Sequence, residues 1–174
     1  MGHFAVIAIG ADRPGIVAGL TGALYERGGN LEDVSSSILR GYFAIMLVVE
    51  TPGTAGELQA GLAEAVQPLG VSVSVHEAEA GAPRRARATH SLVAYAADRP
   101  GIVAGLAGFL AERAANVTDL SCRLTGEDPQ VYAMVAELAL ADGDDPDALR
   151  TAVEERGREL GVDVTFRPLE ADTL

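Results

Sequence analysis

The decapeptide ADRPGIVAGL occurs twice, letter for letter, as Ala11–Leu20 and again as Ala97–Leu106. The copies start 86 residues apart in a chain of 174, so the chain reads as two copies of one unit. The identity is concentrated at a loop and a helix start. Either that loop has a demanding backbone shape, or both copies hold something there.

Around each decapeptide the hydrophobic pattern repeats in the same order. Phe4–Ile9 is a short apolar run that reads as a buried strand. Pro14 suits the first turn of a helix, where its missing N–H costs nothing. Ile16, Leu20 and Leu24 then form an apolar stripe that Gly28-Gly29 stops. Leu31–Leu39 and Tyr42–Glu50 are strand-like runs joined at Arg40-Gly41, a hairpin signal. Thr54-Ala-Gly-Glu57 has capping-box spacing and opens a helix with Leu58, Leu62, Val66 and Leu69 on one face. Val71–Val75 closes the unit.

The second half repeats this with Ser91–Tyr95, Pro100–Arg113, Val117–Thr125, Val131–Leu140, a helix opened by Asp145-Pro146, and Val162–Phe166. The expected fold class is α+β: two ferredoxin-like βαββαβ domains, each a four-stranded antiparallel sheet with two helices on one face. Domain 1 covers residues 1–77, a linker residues 78–88, and domain 2 residues 89–170. In the third strand Phe43, Ile45, Leu47 and Val49 point one way and Ala44, Met46 and Val48 the other. Both faces are apolar, although an open antiparallel sheet usually keeps one polar. The expectation is that the other repeat or a second protomer covers the second face.

Composition removes several function classes. The net charge is −12, and both halves are acidic, which argues against direct nucleic-acid binding. All 13 basic residues are arginine, so there is neither a Schiff-base lysine nor a phosphate-gripping one. The single Cys122 cannot form an internal disulfide, which suits a cytoplasmic protein. MGHFAVIAIG lacks the basic start of a signal peptide, and no apolar run is long enough to span a membrane.

The repeated loop has its own chemistry. A helix start exposes unpaired N–H groups and a partial positive charge, which suit a carboxylate. Gly15 lets a ligand approach closely, and Asp12 can accept from an ammonium group. Asn30 follows 18 residues after Asp12, and Asn116 follows Asp98 by the same step. Adjacent strand ends are expected to bring that amide to the loop, where it can donate to a carboxylate and accept from an ammonium. The plainer reading is an Asp-capped turn, with Asn30 and Asn116 tolerating an unusual backbone angle.

Asp-Arg-Pro-Gly-Ile-Val, an apolar helix, then Gly-Asn-Leu or Ala-Asn-Val, resembles the ACT domain, a small regulatory module that binds amino acids. AIGADRPGIV followed by GGNLEDVSSSILRGYFAIMLVVE resembles in particular the family of tandem-ACT glycine cleavage system transcriptional repressors. The resemblance implies ligand contacts at Ala11, Asp12, Gly15, Ile16, Asn30 and Leu31. In the second copy it implies Ala97, Asp98, Gly101, Ile102, Asn116 and Val117. It further implies no catalytic domain, no cofactor, a small amino acid (glycine or serine) as ligand, a homodimer, and a protein partner such as a transcriptional activator.

Other motifs fail on their own chemistry. Gly10–Gly15 has phosphate-loop spacing, but Ile16-Val17 stand where Lys and Ser or Thr are needed. His3, His76 and His90 lack paired ligand spacing, so no metal is expected. Cys122 falls opposite Ser36 in the repeat and reads as a small core or edge residue. Arg84-Arg85-Ala-Arg87 reads as a solvated linker cluster, and Asp142–Asp147 as a loop and helix start. No nucleophile–base pair stands at a defensible spacing, so the chain is not expected to be an enzyme. The alternative to ligand sensing is a constitutive interaction or dimerisation module.

Overall fold

The computed structural model describes residues 1–81, 86–126, 131–141 and 143–169. The chain divides into two compact units, Met1–Ala82 and Pro83–Leu174. The first runs β1 (Gly2–Ala11), α1 (Ile16–Glu26), β2 (Asn30–Leu39), β3 (Tyr42–Thr51), α2 (Ala55–Val66), a 3₁₀ turn (Gln67–Leu69) and β4 (Ser72–Ala78). The second runs β5 (His90–Ala97), α3 (Ile102–Ala111), β6 (Asn116–Thr125), β7 (Val131–Ala139), α4 (Pro146–Glu159) and β8 (Asp163–Pro168). Each unit is the expected βαββαβ fold. The sheet orders are β2-β3-β1-β4 and β6-β7-β5-β8, and every neighbouring pair is antiparallel.

Alternation along the strands and a four-residue stripe on each helix build the two cores. Phe4, Val6 and Ala8 of β1 and Ile45, Leu47 and Val49 of β3 pack under Ile16, Leu20 and Leu24 of α1 and Leu58, Leu62 and Val66 of α2. In the second unit Leu92, Ala94, Met134, Ala136 and Leu138 pack against Ile102, Leu106, Leu110, Leu149 and Val153. Each fully buried leucine contributes about 1.5–3 kcal/mol. The opposite face of the first sheet carries Ile7, Ile9 and Met46 at 40%, 49% and 51% exposure.

Element edges differ from expectation where turn residues intervene. The helix expected over Pro100–Arg113 begins at Ile102, because Gly101 takes the N-cap in a left-handed conformation that the helix cannot include. Pro14 likewise precedes the helix and lies outside its first turn. Strand β4 begins at Ser72, since Gly70 at φ +69° turns the chain and Val71 drops into the core. Ala78, expected to open the linker, ends β4. Arg84, Arg85 and Asp142 lie outside the described residues.

Two helices have side-chain N-terminal caps. In α2 the Glu57 N–H donates to Thr54 Oγ1 at 3.3 Å, while the Thr54 N–H donates to Glu57 Oε2 at 2.9 Å. In α4 the N–H groups of Asp147 and Ala148 donate to Asp145 Oδ1. The Thr54 backbone bond, then the Thr54 hydroxyl, hold the Glu57 carboxyl below its ordinary value of 4.5. A lowered folded-state pKa means that this stabilisation is complete above the ordinary glutamate range. It is lost as pH falls through the lowered value. Glu57→Gln should therefore flatten part of the acid dependence of stability below about pH 4.5, measured by denaturant unfolding across an acid series. An unchanged acid profile would contradict the capping role.

Candidate functional site

The repeated decapeptide forms the β1–α1 connection and its copy, the β5–α3 connection. Strand β1 ends at Ala11, and the Asp12 N–H donates to the Gly41 carbonyl at 2.8 Å, tying the loop to the β2–β3 hairpin. Gly15 then adopts φ +99° and Gly101 φ +97°, a region where an L side chain is strained. The Gly15 carbonyl accepts from the Gly19 N–H at 2.8 Å, and Gly101 does the same with Gly105.

Neither helix has a side-chain cap. Asp12 does not cap α1, contrary to the plainer expectation, because two residues and a left-handed glycine separate it from Ile16. Among the described residues no hydrogen bond or ion pair engages the carboxylate of Asp12 or Asp98. Thus side chains take up part of the first-turn donors of α2 and α4, whereas no side chain caps α1 or α3. Helix α1 opens into a cleft of about 640 Å³ lined by Asp12–Ala18 together with Ile38 and Phe43. A carboxylate fits the free N–H groups and the positive end of the helix, and an ammonium fits Asp12.

The structure gathers some of the expected residues and separates others. Ala11, Asp12 and Gly15 stand together at the loop, as do Ala97, Asp98 and Gly101. Ile16 and Ile102 turn their side chains into the cores, at 2% and 4% exposure, so only their backbones face the opening. Asn30 and Leu31 lie elsewhere. Ala11 pairs with Tyr42, but Asn30 pairs with Glu50, eight residues further along β3. At about 3.3 Å per residue that is roughly 26 Å away. Asn116 pairs with Ala139 and Val117 with Leu138, at the corresponding far end of the second sheet. The expectation that adjacent strand ends bring the amide to the loop is corrected. Helix α1 returns along the whole sheet, so the residue after it sits where β1 began.

Two cleft walls were absent from the expected set. Ile38 and Phe43 face each other across β2 and β3 and close the cleft over α1. Alternation alone assigned Phe43 to the core; the hairpin's reach to the loop has no short motif. In the second unit Leu124 and Tyr132 form the corresponding pair. Interaction with the Cys122 side chain, then partial burial and the charges of Cys122 and Asp98, push the pKa of the Tyr132 hydroxyl up to about 12. Cys122 sits on edge strand β6 against the core. Among the described residues no cluster could hold a metal ion, and no helix is long and apolar enough to cross a membrane.

Residues 3–76 match the family described as the ACT domain. A UPF0237 protein of Methanopyrus kandleri is 46% identical over 76 residues, covering 41% of this chain and 84% of the relative. A UPF0237 protein of Lactococcus lactis is 39% identical over 71 residues, covering 40% and 82%. Among solved structures, an unknown protein from Galdieria sulphuraria superposes with TM-score 0.76 at 25% identity, over 97% of this chain and 99% of that one. A protein provisionally named as a glycine cleavage system transcriptional repressor superposes with TM-score 0.77 at 16% identity, over 97% and 98%.

If conformation alone demands glycine at the helix starts, Gly15→Ala and Gly101→Ala should each cost about 1–2 kcal/mol. A Cβ at Gly15 meets only Leu69, at 3.8 Å, and one at Gly101 meets nothing within 4 Å. Denaturant unfolding of both variants checks this. A cost confined to one of them would point to packing instead.

Proposed function

Since this chain belongs to the ACT-domain family, a regulatory fold, we propose that it is a non-catalytic sensor that binds a small amino acid at its strand–helix loops. Glycine or serine is the best-fitting size, and the bound state controls a protein partner in the manner of the glycine cleavage repressors it resembles in fold. The protein acts in the cytoplasm, as a homodimer, without a cofactor.

The observation that carries the reading is the contrast in caps. Helices α2 and α4 are capped by Thr54, Glu57 and Asp145, while α1 and α3 start at a glycine with no side-chain acceptor and an unengaged aspartate three residues before it. A free amino acid supplies both missing partners: its carboxylate accepts from the helix N–H groups and its ammonium donates to Asp12 or Asp98. Given the sheet register, Asn30 can join a ligand at the Asp12 loop only when a second protomer supplies it. The net charge of −12 favours a regulated partner with a basic surface.

A second reading has its own support. Ile7, Ile9 and Met46 make an exposed apolar sheet face, and every residue of edge strand β2 is exposed. A constitutive dimerisation module would need those surfaces and no ligand; it predicts partner binding without any amino acid and full tolerance of Asn30→Ala.

A thermal-shift series with the twenty amino acids separates the two. Sensing predicts that at least one stabilises the chain by about 2.7 kcal/mol at 100 times Kd. The doubly substituted Asp12→Ala, Asp98→Ala chain should lose the shift. The absence of a shift with every amino acid would overturn ligand sensing.

A further inference from the structure

The helix pairs of the two units have diverged along their flanks. In the first unit Arg27 lies across Gly61 and donates to the Ala23 carbonyl at 2.9 Å. The second unit has Ala152 in place of Gly61 and Phe109 in place of Ala23. There the counterpart Arg113 stacks over the Phe109 ring, and its Nη1 donates to the Phe109 carbonyl at 3.3 Å. A second arginine joins it: Arg156 stands where the first unit has Ala65, and Glu159 where it has Pro68.

Arg113 and Arg156 both line a cleft of about 360 Å³ between α3 and α4, whose α3 side carries the small residues Ala104, Gly105 and Gly108. Glu112 and Glu159 line it too, yet neither uses up the guanidiniums. Glu159 Oε2 accepts from Arg156 Nη1 at 2.9 Å, which leaves the Nε–Nη2 edge without a partner among the described residues. Glu112 Oε2 is 3.9 Å from Arg113 Nη1, beyond hydrogen-bond length. The two acids are 78% and 66% exposed, the two arginines 39% and 36%. The carboxylates therefore reach into water while the guanidiniums stay at the cleft. Arg156 Nε is itself buried and lacks an acceptor, and a buried donor of this kind is destabilising until something accepts from it.

We propose that this cleft binds the oxyanion of a small molecule, a phosphate or a carboxylate, held between Arg156 and Arg113. A turn of the Arg156 guanidinium brings its Nε and Nη2 groups to the cleft, where their parallel N–H bonds match two oxygens of one oxyanion. Arg113, held flat against the Phe109 ring, supplies donors from the other wall. The site lies along the flank of α3 and not at its start, so it stands independently of the amino-acid reading of the loops. It belongs to the second unit alone, since Ala65 has no donor to offer and Arg27 is turned onto Gly61.

NMR titration of the full chain with inorganic phosphate, and separately with acetate, tests this at an ionic strength held constant with chloride. At least one of the two should move the Arg156 Nε–H resonance and the Gly105 and Gly108 amides with saturation. Phosphate alone would assign a phosphoryl group, acetate alone a carboxylate. Arg156→Ala, which places there the residue that the first unit carries, and Arg113→Gln should each weaken binding about tenfold. Arg150→Ala, on the same helix and already paired with Asp147 at 2.7 Å, should leave it unchanged. Shifts that rise linearly with both salts, or equal weakening by Arg150→Ala, would overturn the assignment. So would saturable shifts confined to Ile16–Ala18 or Ile102–Ala104, which would put the oxyanion at the helix starts and leave the amino-acid reading standing.

Discussion

Gly15 and Gly101 each carry the chain from a strand into a helix through a left-handed residue, and the carbonyl of each accepts the first helical hydrogen bond. A residue with a side chain could have capped the helix with its own oxygen. Glycine cannot, so the first turn keeps its donors open. In the first unit the Asp12–Gly41 bond holds the strand end against the β2–β3 hairpin, which sets Ile38 and Phe43 over that turn. The cleft, its polarity and the unengaged carboxylate all follow from that one backbone constraint.

Duplication preserved the constraint and relaxed what surrounds it. In the first unit Arg27 lies across Gly61 of α2, where no side chain stands in its way. In the second, Ala152 takes the place of Gly61, with Leu149 and Val153 answering to Leu58 and Leu62 in the core. Its counterpart Arg113 instead stacks 3.6 Å over the Phe109 ring. Clefts flank Arg113 on either side, one with Asp145 and Ala152, one with Gly108 and Arg156. The ring is itself a difference, since Phe109 stands where the first unit has Ala23, so substitutions on both helices of the unit accompany the new place of the arginine. Around the second decapeptide, Tyr132 stands where the first unit has Phe43, and Leu160 packs against Gly105 whereas its counterpart Leu69 lies nearest Gly15.

Much of this was legible before any coordinates. The apolar spacing of Ile16, Leu20 and Leu24 and the alternation through β3 set the elements and the core, because burial enforces period. The Thr54–Glu57 box was readable because both partners lie within one turn. Two features were not. Asn30 follows Asp12 at a fixed step, and only the strand register reveals that the intervening helix carries it to the far end of the sheet. The wall formed by Ile38 and Phe43 depends on a hairpin folding back to a loop about 30 residues earlier. Such contacts have no local signature, and an apolar residue lining a cleft looks like any core residue.

The claim that the open helix starts bind the ligand is tested most directly by amide NMR during titration with the amino acid that stabilises the protein. The account predicts that the N–H resonances of Ile16–Ala18 or Ile102–Ala104 move with saturation. Those of Glu57 and Ala148, already bonded to their own caps, should stay fixed. Perturbations at the capped helix starts, or across the outer sheet face with α1 and α3 unmoved, would contradict it.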